Sequence, residues 1–111
     1  MEKQAQMTEE KMFELKDLMS KLEKKGSYFL DFLKVRDLEA GIIVLKPGEE
    51  DTQVPHLADE LYYVVEGSGY VELDRHKRQV NKGSIVFVPA KMRHRFYGNK
   101  EDLVVLYVFA E

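Results

Sequence analysis

The sequence predicts a mainly β protein of one domain, a sandwich or small barrel, preceded by an amphipathic α-helix. Before Gly26, apolar residues recur at helical spacing. After Gly26, short apolar runs are separated by Gly, Pro, Asn and Asp, which is typical of strands and turns. A chain of 111 residues is long enough for one hydrophobic core and too short for two. We therefore expect a helical extension over residues 1–27 and a β domain over residues 28–111.

The helix is predicted from Thr8 to Lys25. Its apolar residues recur every three or four positions and form one stripe, while Lys and Glu occupy the other faces. The stripe consists of Met12, Leu15, Leu18, Met19 and Leu22. Thr8 is the expected N-cap, and Gly26 is the expected C-terminal stop. Such a helix has to bury its stripe against the body of the protein or against another subunit.

The rest of the chain is predicted to form eight short strands. Each is rich in apolar, aromatic and β-branched residues and is bounded by turn-forming residues. The predicted strands are Tyr28–Lys34, Ala40–Lys46, Leu61–Val65, Gly69–Asp74, Lys77–Val80, Ser84–Val88, His94–Tyr97 and Leu103–Phe109. Around eight short strands with regular turns favour a sandwich or a small barrel.

Composition and charge exclude several classes of function. With 17 basic and 20 acidic residues, the net charge is −3, so we expect neither a nucleic acid nor a membrane surface as partner. The sequence has no cysteine, so any metal has to be bound by His, Asp or Glu. The charged N-terminus is unlike a signal peptide, and no apolar run approaches the roughly 20 residues of a membrane span. These features predict a cytoplasmic location.

Two motifs place His56, Glu60 and His94 at the spacing of a known family. The segment GEEDTQVPHLADELYYVVEG fits the pattern G-x5-H-x-H-x3-E-x6-G without gaps, with Val54 at the first histidine. The segment GSIVFVPAKMRHRFYG fits G-x5-P-x-G-x2-H-x3-N, with Lys91 and Gly98 at the inner glycine and the asparagine. From about residue 40 to residue 109, the chain resembles the cupin superfamily. This resemblance implies a double-stranded β-helix, that is, a jelly-roll barrel with a metal centre inside it.

Within that superfamily, the chain is most similar to small single-domain cupins of bacteria and archaea. Their first motif reads P-H-x-x-D-E followed by two tyrosines, as Pro55-His56, Asp59-Glu60 and Tyr62-Tyr63 do here. This likeness does not name a substrate.

The expected site combines two imidazoles and one carboxylate, from His56, Glu60 and His94. This ligand set is typical of non-haem iron and also suits Mn, Ni, Co or Zn, so a divalent transition metal is the expected cofactor. Val54 removes one ligand of the usual pattern. The alternative is a degenerate site in which the same side chains form a polar cluster without metal. Gln53 and Asp59 are each one residue off the inward register, so water in the open position is favoured over either side chain as a replacement.

The walls of the expected pocket follow from strand alternation. Val54 is expected on the same strand face as His56. Tyr62 and Val64 are expected on the face of Glu60, and Phe96 on the face of His94. A residue of the last strand completes the wall of the pocket. Lys91 could reach the mouth of the pocket and favour an anionic substrate. The remaining histidine, His76, lies in a charge-rich hairpin tip and is expected to be solvated.

Three functions are compatible with this site. The first is a metal-dependent enzyme acting on a small organic molecule, an oxygenase above all, with Tyr62 as an acid, base or orienting group. The second is a non-catalytic module that binds or senses a small molecule. The third is a metal-free isomerase or epimerase that uses Glu60 and His94 for proton transfer. The helix and the long apolar strand at Leu103–Phe109 further predict a homodimer.

Overall fold

The computed structural model describes residues 9–110, which form one helix and eight strands. The elements are α1 (Leu15–Lys25), β1 (Phe29–Val35), β2 (Leu38–Leu45), β3 (Glu60–Glu66), β4 (Gly69–Leu73), β5 (His76–Val80), β6 (Ile85–Val88), β7 (His94–Tyr97) and β8 (Leu103–Ala110). Every predicted strand is present, with its ends within two residues of the prediction. The mainly β fold with one N-terminal helix is therefore confirmed.

The strands form two antiparallel sheets with the arrangement of a jelly roll rather than one closed barrel. One sheet has the order β1-β2-β8-β3-β6, and the other has the order β5-β4-β7. Inward-facing side chains of both sheets pack into one core that includes Tyr62, Val71, Phe96 and Val105. The two inner faces therefore enclose the interior in which the predicted site lies.

The helix begins later than its periodicity predicts. Residues 9–14 are not helical, and α1 starts at Leu15 with Glu14 in an extended conformation before it. The Phe13 ring packs at a tilt of 60° against the ring of Phe32 in β1, with ring centres 4.8 Å apart, which keeps the segment before the helix against the strand. Met12 is consequently 83% exposed and is not part of the buried stripe. Thr8, the predicted N-cap, lies outside the described residues.

The C-terminal end of the helix agrees with the prediction. Gly26 has a left-handed backbone (φ +75°), and its N–H donates to the carbonyl oxygens of Leu22 and Glu23. Leu18 packs on Ile42 and Val104 and Leu22 is also buried, so the helix lies on the outer face of its own sheet, but Leu15 of the predicted stripe is 40% exposed. In the described part of the chain, no helix is long and apolar enough to cross a membrane.

The helix covers only part of that outer face. Further along the same sheet, outward side chains of β3 and β6 form what we call the outer patch. Its members are Leu61 (47% exposed), Tyr63 (42%), Ile85 (66%) and Phe87 (57%). Leu61 pairs with Phe87 and Tyr63 with Ile85 across the two strands, so the four side chains are contiguous.

Candidate functional site

The fold brings the three predicted metal ligands together around one carboxylate. Glu60 starts β3 and is 2% exposed, and His94 starts β7 with Nε2 3.6 Å from Glu60 Oε1. His56 lies in the irregular segment before β3, and its Nε2 is 3.6 Å from Glu60 Oε2. Each histidine therefore faces a different oxygen of the same carboxylate.

The inward register expected before β3 needs correction. Residues 49–59 form no strand, so side chains do not alternate strictly there. Val54 is 70% exposed instead of facing the interior beside His56. Gln53, expected to be out of register, turns inward and accepts a hydrogen bond from the Tyr62 hydroxyl through Oε1 (2.9 Å).

A buried aspartate, which the sequence analysis missed, fixes the orientation of Gln53. Asp51 is 6% exposed, and its carboxylate accepts hydrogen bonds from the Phe96 N–H (2.8 Å), the Gln53 N–H (3.3 Å) and the Tyr28 hydroxyl (3.2 Å). It also accepts from Gln53 Nε2 (3.0 Å). Because the surrounded carboxylate can only accept, the amide nitrogen of Gln53 faces Asp51 and its oxygen faces Tyr62.

This orientation determines where the single hydroxyl hydrogen of Tyr62 points. That hydrogen is donated to Gln53, so the side of Oη facing His94 presents a lone pair. His94 Nε2 lies 2.8 Å from the same Oη, while its Nδ1 donates to the Met92 carbonyl oxygen (2.9 Å). A favourable contact between Nε2 and Oη therefore requires a proton or a cation between them.

Glu60 is the least satisfied group of the site. Both of its carboxylate oxygens are buried without a hydrogen-bond partner among residues 9–110. The pKa of Glu60 is raised from 4.5 to about 7, mainly because burial disfavours the charged carboxylate; the negative charges of Asp51 and Glu39 add to this rise, and the nearby Tyr62 hydroxyl opposes it. A buried carboxylate of this kind is costly unless a proton or a cation compensates its charge.

The donor atoms partly fit a metal ion. Two ligands that each bind a transition metal at about 2.0–2.2 Å lie about 3–3.5 Å apart, close to the 2.8–3.6 Å contacts linking Tyr62, Glu60 and the histidines. Nevertheless, within residues 9–110, no group of three or more His, Cys, Asp or Glu side chains has the arrangement of a metal site. The ring centres of His56 and His94 are 6.3 Å apart, so His56 has to move inward before both histidines can bind the same metal ion.

Two cavities approach the site from different sides. A mainly apolar cavity of about 260 Å³ reaches His56, and a polar cavity of about 160 Å³ reaches His94. Gln53 lines both cavities. The apolar cavity is lined by Tyr28, Phe29, Asp31, Glu39, Thr52, Gln53, Val54, His56, Tyr107 and Phe109.

The walls of the apolar cavity differ from those that strand alternation predicts. Val54 lines the cavity from its exposed position, whereas Val64 and Phe96 are buried in the core away from it. Tyr62 is fully buried behind the cavity. From the last strand, Phe109 stacks on the His56 ring with centres 4.6 Å apart, and Tyr107 donates a hydrogen bond to Asp31.

Lys91 acts through its backbone in this structure. Its side chain is exposed and is not part of the lining of the two cavities that reach the histidines. Its φ is +71°, a left-handed conformation that explains the glycine at this position of the motif. Its N–H donates to the carbonyl oxygen of His56 (2.7 Å), which ties the two motifs together. His76, at the start of β5, is exposed as predicted.

Comparison with known proteins identifies the family and agrees with the fold. The family model of the cupin domain matches residues 41–109. An uncharacterised protein of Streptomyces coelicolor is 38% identical over 100 residues, which is 90% of this chain and 95% of the relative. The structure of TT1209 from Thermus thermophilus superimposes with a TM-score of 0.71 at 20% identity, over 89% of this chain and 95% of that one. KdgF from Halomonas sp. has a TM-score of 0.67 at 26% identity, over 74% of this chain and 76% of that one. The chain therefore belongs to the cupin family.

Proposed function

We propose that this cupin binds a divalent transition metal, Fe, Mn, Ni, Co or Zn, and acts on a small organic molecule in the apolar cavity. His56, Glu60 and His94 would bind the metal. The observation that carries the proposal is the carboxylate of Glu60, which is buried between two imidazoles and receives no hydrogen bond from the described part of the chain. A divalent cation would remove this electrostatic cost, and the donor atoms are of the type that such ions prefer.

The reaction that fits best is of the oxygenase type. When bound, the metal would supply Lewis acidity and open coordination positions. The chain itself would provide the rest: Phe109 and Tyr107 offer flat apolar walls, and the Tyr62 hydroxyl is held in place by Gln53. A cavity of about 260 Å³ lies near the lower end of ligand sites, so the substrate is expected to be small.

Elemental analysis of the purified full chain tests the metal. We expect a near-stoichiometric transition metal in the wild type and its loss in Glu60→Gln and His94→Ala. His76→Ala is the matched control, because this histidine is exposed and far along the hairpin from the site. A wild type without metal, whose unfolding temperature does not rise on addition of any of the five ions, would refute the proposal.

A metal-free isomerase or epimerase is the second candidate, and the pKa of Glu60 favours it. A carboxyl group with a pKa of about 7 is suited to accept and return a proton at neutral pH. This candidate predicts that metal-free protein exchanges a substrate proton with solvent deuterium and that Glu60→Gln does not. Ligand binding without turnover, with or without metal, would instead favour the binding or sensing module.

We further propose a cytoplasmic homodimer that forms through the outer patch. Single exposed apolar residues are common on protein surfaces, whereas contiguous patches mark interaction sites. The outer patch consists of four contiguous apolar side chains that are 42–66% exposed. Sedimentation analysis should give a dimer for the wild type and a monomer for Phe87→Lys. Met12→Lys, which changes an exposed apolar side chain elsewhere, should remain dimeric. A monomeric wild type would contradict the proposal.

A further inference from the structure

The buried site contains a further oxygen, the Tyr62 hydroxyl, at a position that the two motifs leave unspecified. Tyr62 Oη lies 2.8 Å from His94 Nε2, and the Tyr62 side chain is fully buried beside Glu60. In the cupin pattern, the missing ligand belongs to position 54, where Val54 has no donor atom and is 70% exposed. The position that a fourth ligand would take is therefore open to Tyr62.

The hydrogen-bond network directs the Tyr62 oxygen toward the other donors. Asp51 fixes the amide of Gln53, and Gln53 accepts the only hydrogen of the Tyr62 hydroxyl. The lone pair of Oη is thereby left on the side of His94. Tyrosine oxygen is an established protein ligand of iron. The chain thus holds a suitable donor in a suitable direction before any metal binds.

We infer that Tyr62 is the fourth protein ligand of the proposed metal centre and that Gln53 is the positioning residue that orients it. This inference rests on the proposed function. The spacing agrees with it, since the contacts of 2.8 Å to His94 and 3.6 Å between His94 and Glu60 are those of neighbouring ligands on one ion. If Tyr62 binds iron(III) as phenolate, the hydrogen that it donates to Gln53 leaves to solvent, and the metal binds at the separate lone pair of Oη that faces His94.

Titration of the metal-free full chain with iron(III) tests the inference by spectroscopy. Phenolate bound to iron(III) produces a charge-transfer band in the visible region that histidine and carboxylate ligands do not produce. We expect this band in the wild type and its absence in Tyr62→Phe. Tyr63→Phe is the matched control, because this neighbouring tyrosine points outward and is 42% exposed. The control should keep the band.

Zinc(II) affinity gives a second readout that does not depend on iron or on activity. Losing a hydrogen-bonding partner behind a ligand costs roughly 10- to 100-fold in metal affinity. Tyr62→Phe removes a proposed ligand and should therefore weaken zinc binding by at least about 10-fold. Tyr63→Phe should leave the zinc affinity unchanged. Gln53→Leu keeps all proposed ligands but removes the acceptor, so it should shift the charge-transfer band of Tyr62.

The outcomes separate this inference from the proposed function. If the wild type binds metal through Glu60 and His94, but Tyr62→Phe has the same affinity and spectrum, Tyr62 is not a ligand and the proposed function stands. If the wild type binds no metal, both fail. Should Tyr62→Phe not fold, resonance Raman spectra of the iron(III) wild type and of Tyr63→Phe decide, since missing phenolate modes would overturn the inference. If the charge-transfer band of Gln53→Leu is the same as that of the wild type, Gln53 does not position Tyr62.

Discussion

The two histidines of the site are held in very different ways. His94 starts a strand, its side chain is 1% exposed, and both ring nitrogens contact polar groups, the Tyr62 hydroxyl and the Met92 carbonyl. His56 lies in an irregular segment, its side chain is 32% exposed, and its ring stacks on Phe109. The difference indicates that the strand pairing of β7 holds His94 in position before a metal or ligand binds. The His56 side of the site lies in an irregular segment and can adjust on binding.

Replacement of each histidine should give the largest contrast in stability. His94→Ala leaves Glu60 and Tyr62 buried with one partner fewer, and removing one member of a buried polar pair costs about 3–5 kcal/mol. His56→Ala removes a partly exposed ring and should cost about 1 kcal/mol or less. Urea unfolding of metal-free protein in the presence of a chelator measures both. Equal losses for the two variants would show that the His56 side is as firmly built as the His94 side.

The pH dependence of stability should report the carboxylate between the two histidines. Because the pKa of Glu60 rises from 4.5 to about 7 on folding, the folded state binds more protons than the unfolded state between these pH values. The contribution of Glu60 to the free energy of unfolding should therefore decrease as pH rises from about 4.5 to about 7, by about 3 kcal/mol in total for the metal-free protein. Burial lowers the pKa of His56 below 6.5, so His56 contributes in the opposite direction.

Glu60→Gln supplies the control for this pH dependence. The amide does not titrate, so the variant should lose the decline between these pH values. His76→Ala should retain the decline, because this exposed histidine is not part of the site. If the free energies of unfolding of the wild type and of Glu60→Gln change in parallel from pH 4.5 to 7, Glu60 does not take up a proton on folding, and the prediction is wrong.

The contrast between the two histidines also explains which parts of the site the sequence could predict. Glu60 and Tyr62 lie two apart in a strand, and alternation alone places both side chains inside. The segment before β3 contains Pro55 and forms no strand, so the same rule assigned Val54 inward and Gln53 outward, the reverse of the structure. Periodicity is a reliable guide only where the backbone is regular.

Long-range partners account for the features that the sequence did not reveal. Asp51 belongs to a run of acidic residues that is typical of a solvated loop, yet its bonds reach Tyr28 and Phe96, 23 and 45 residues away. The late start of α1 similarly depends on the contact of Phe13 with Phe32. The eight strands were predictable because apolar runs and turn residues act locally, whereas these contacts exist only in the folded chain.

The smallest expected effect concerns the link between the two motifs, at Lys91. Its left-handed backbone (φ +71°) is unfavourable for a residue with a side chain, and Lys91→Gly should relieve this strain and stabilise the protein by about 0.5–1 kcal/mol. The N–H that donates to the His56 carbonyl is retained in the variant, so metal affinity should not change. Thermal unfolding measures the gain, and Lys100→Gly, at an exposed position without a positive φ, should lower stability instead. If Lys91→Gly weakens metal binding, the lysine side chain contributes to the His56 side of the site in a way that its exposed position does not suggest.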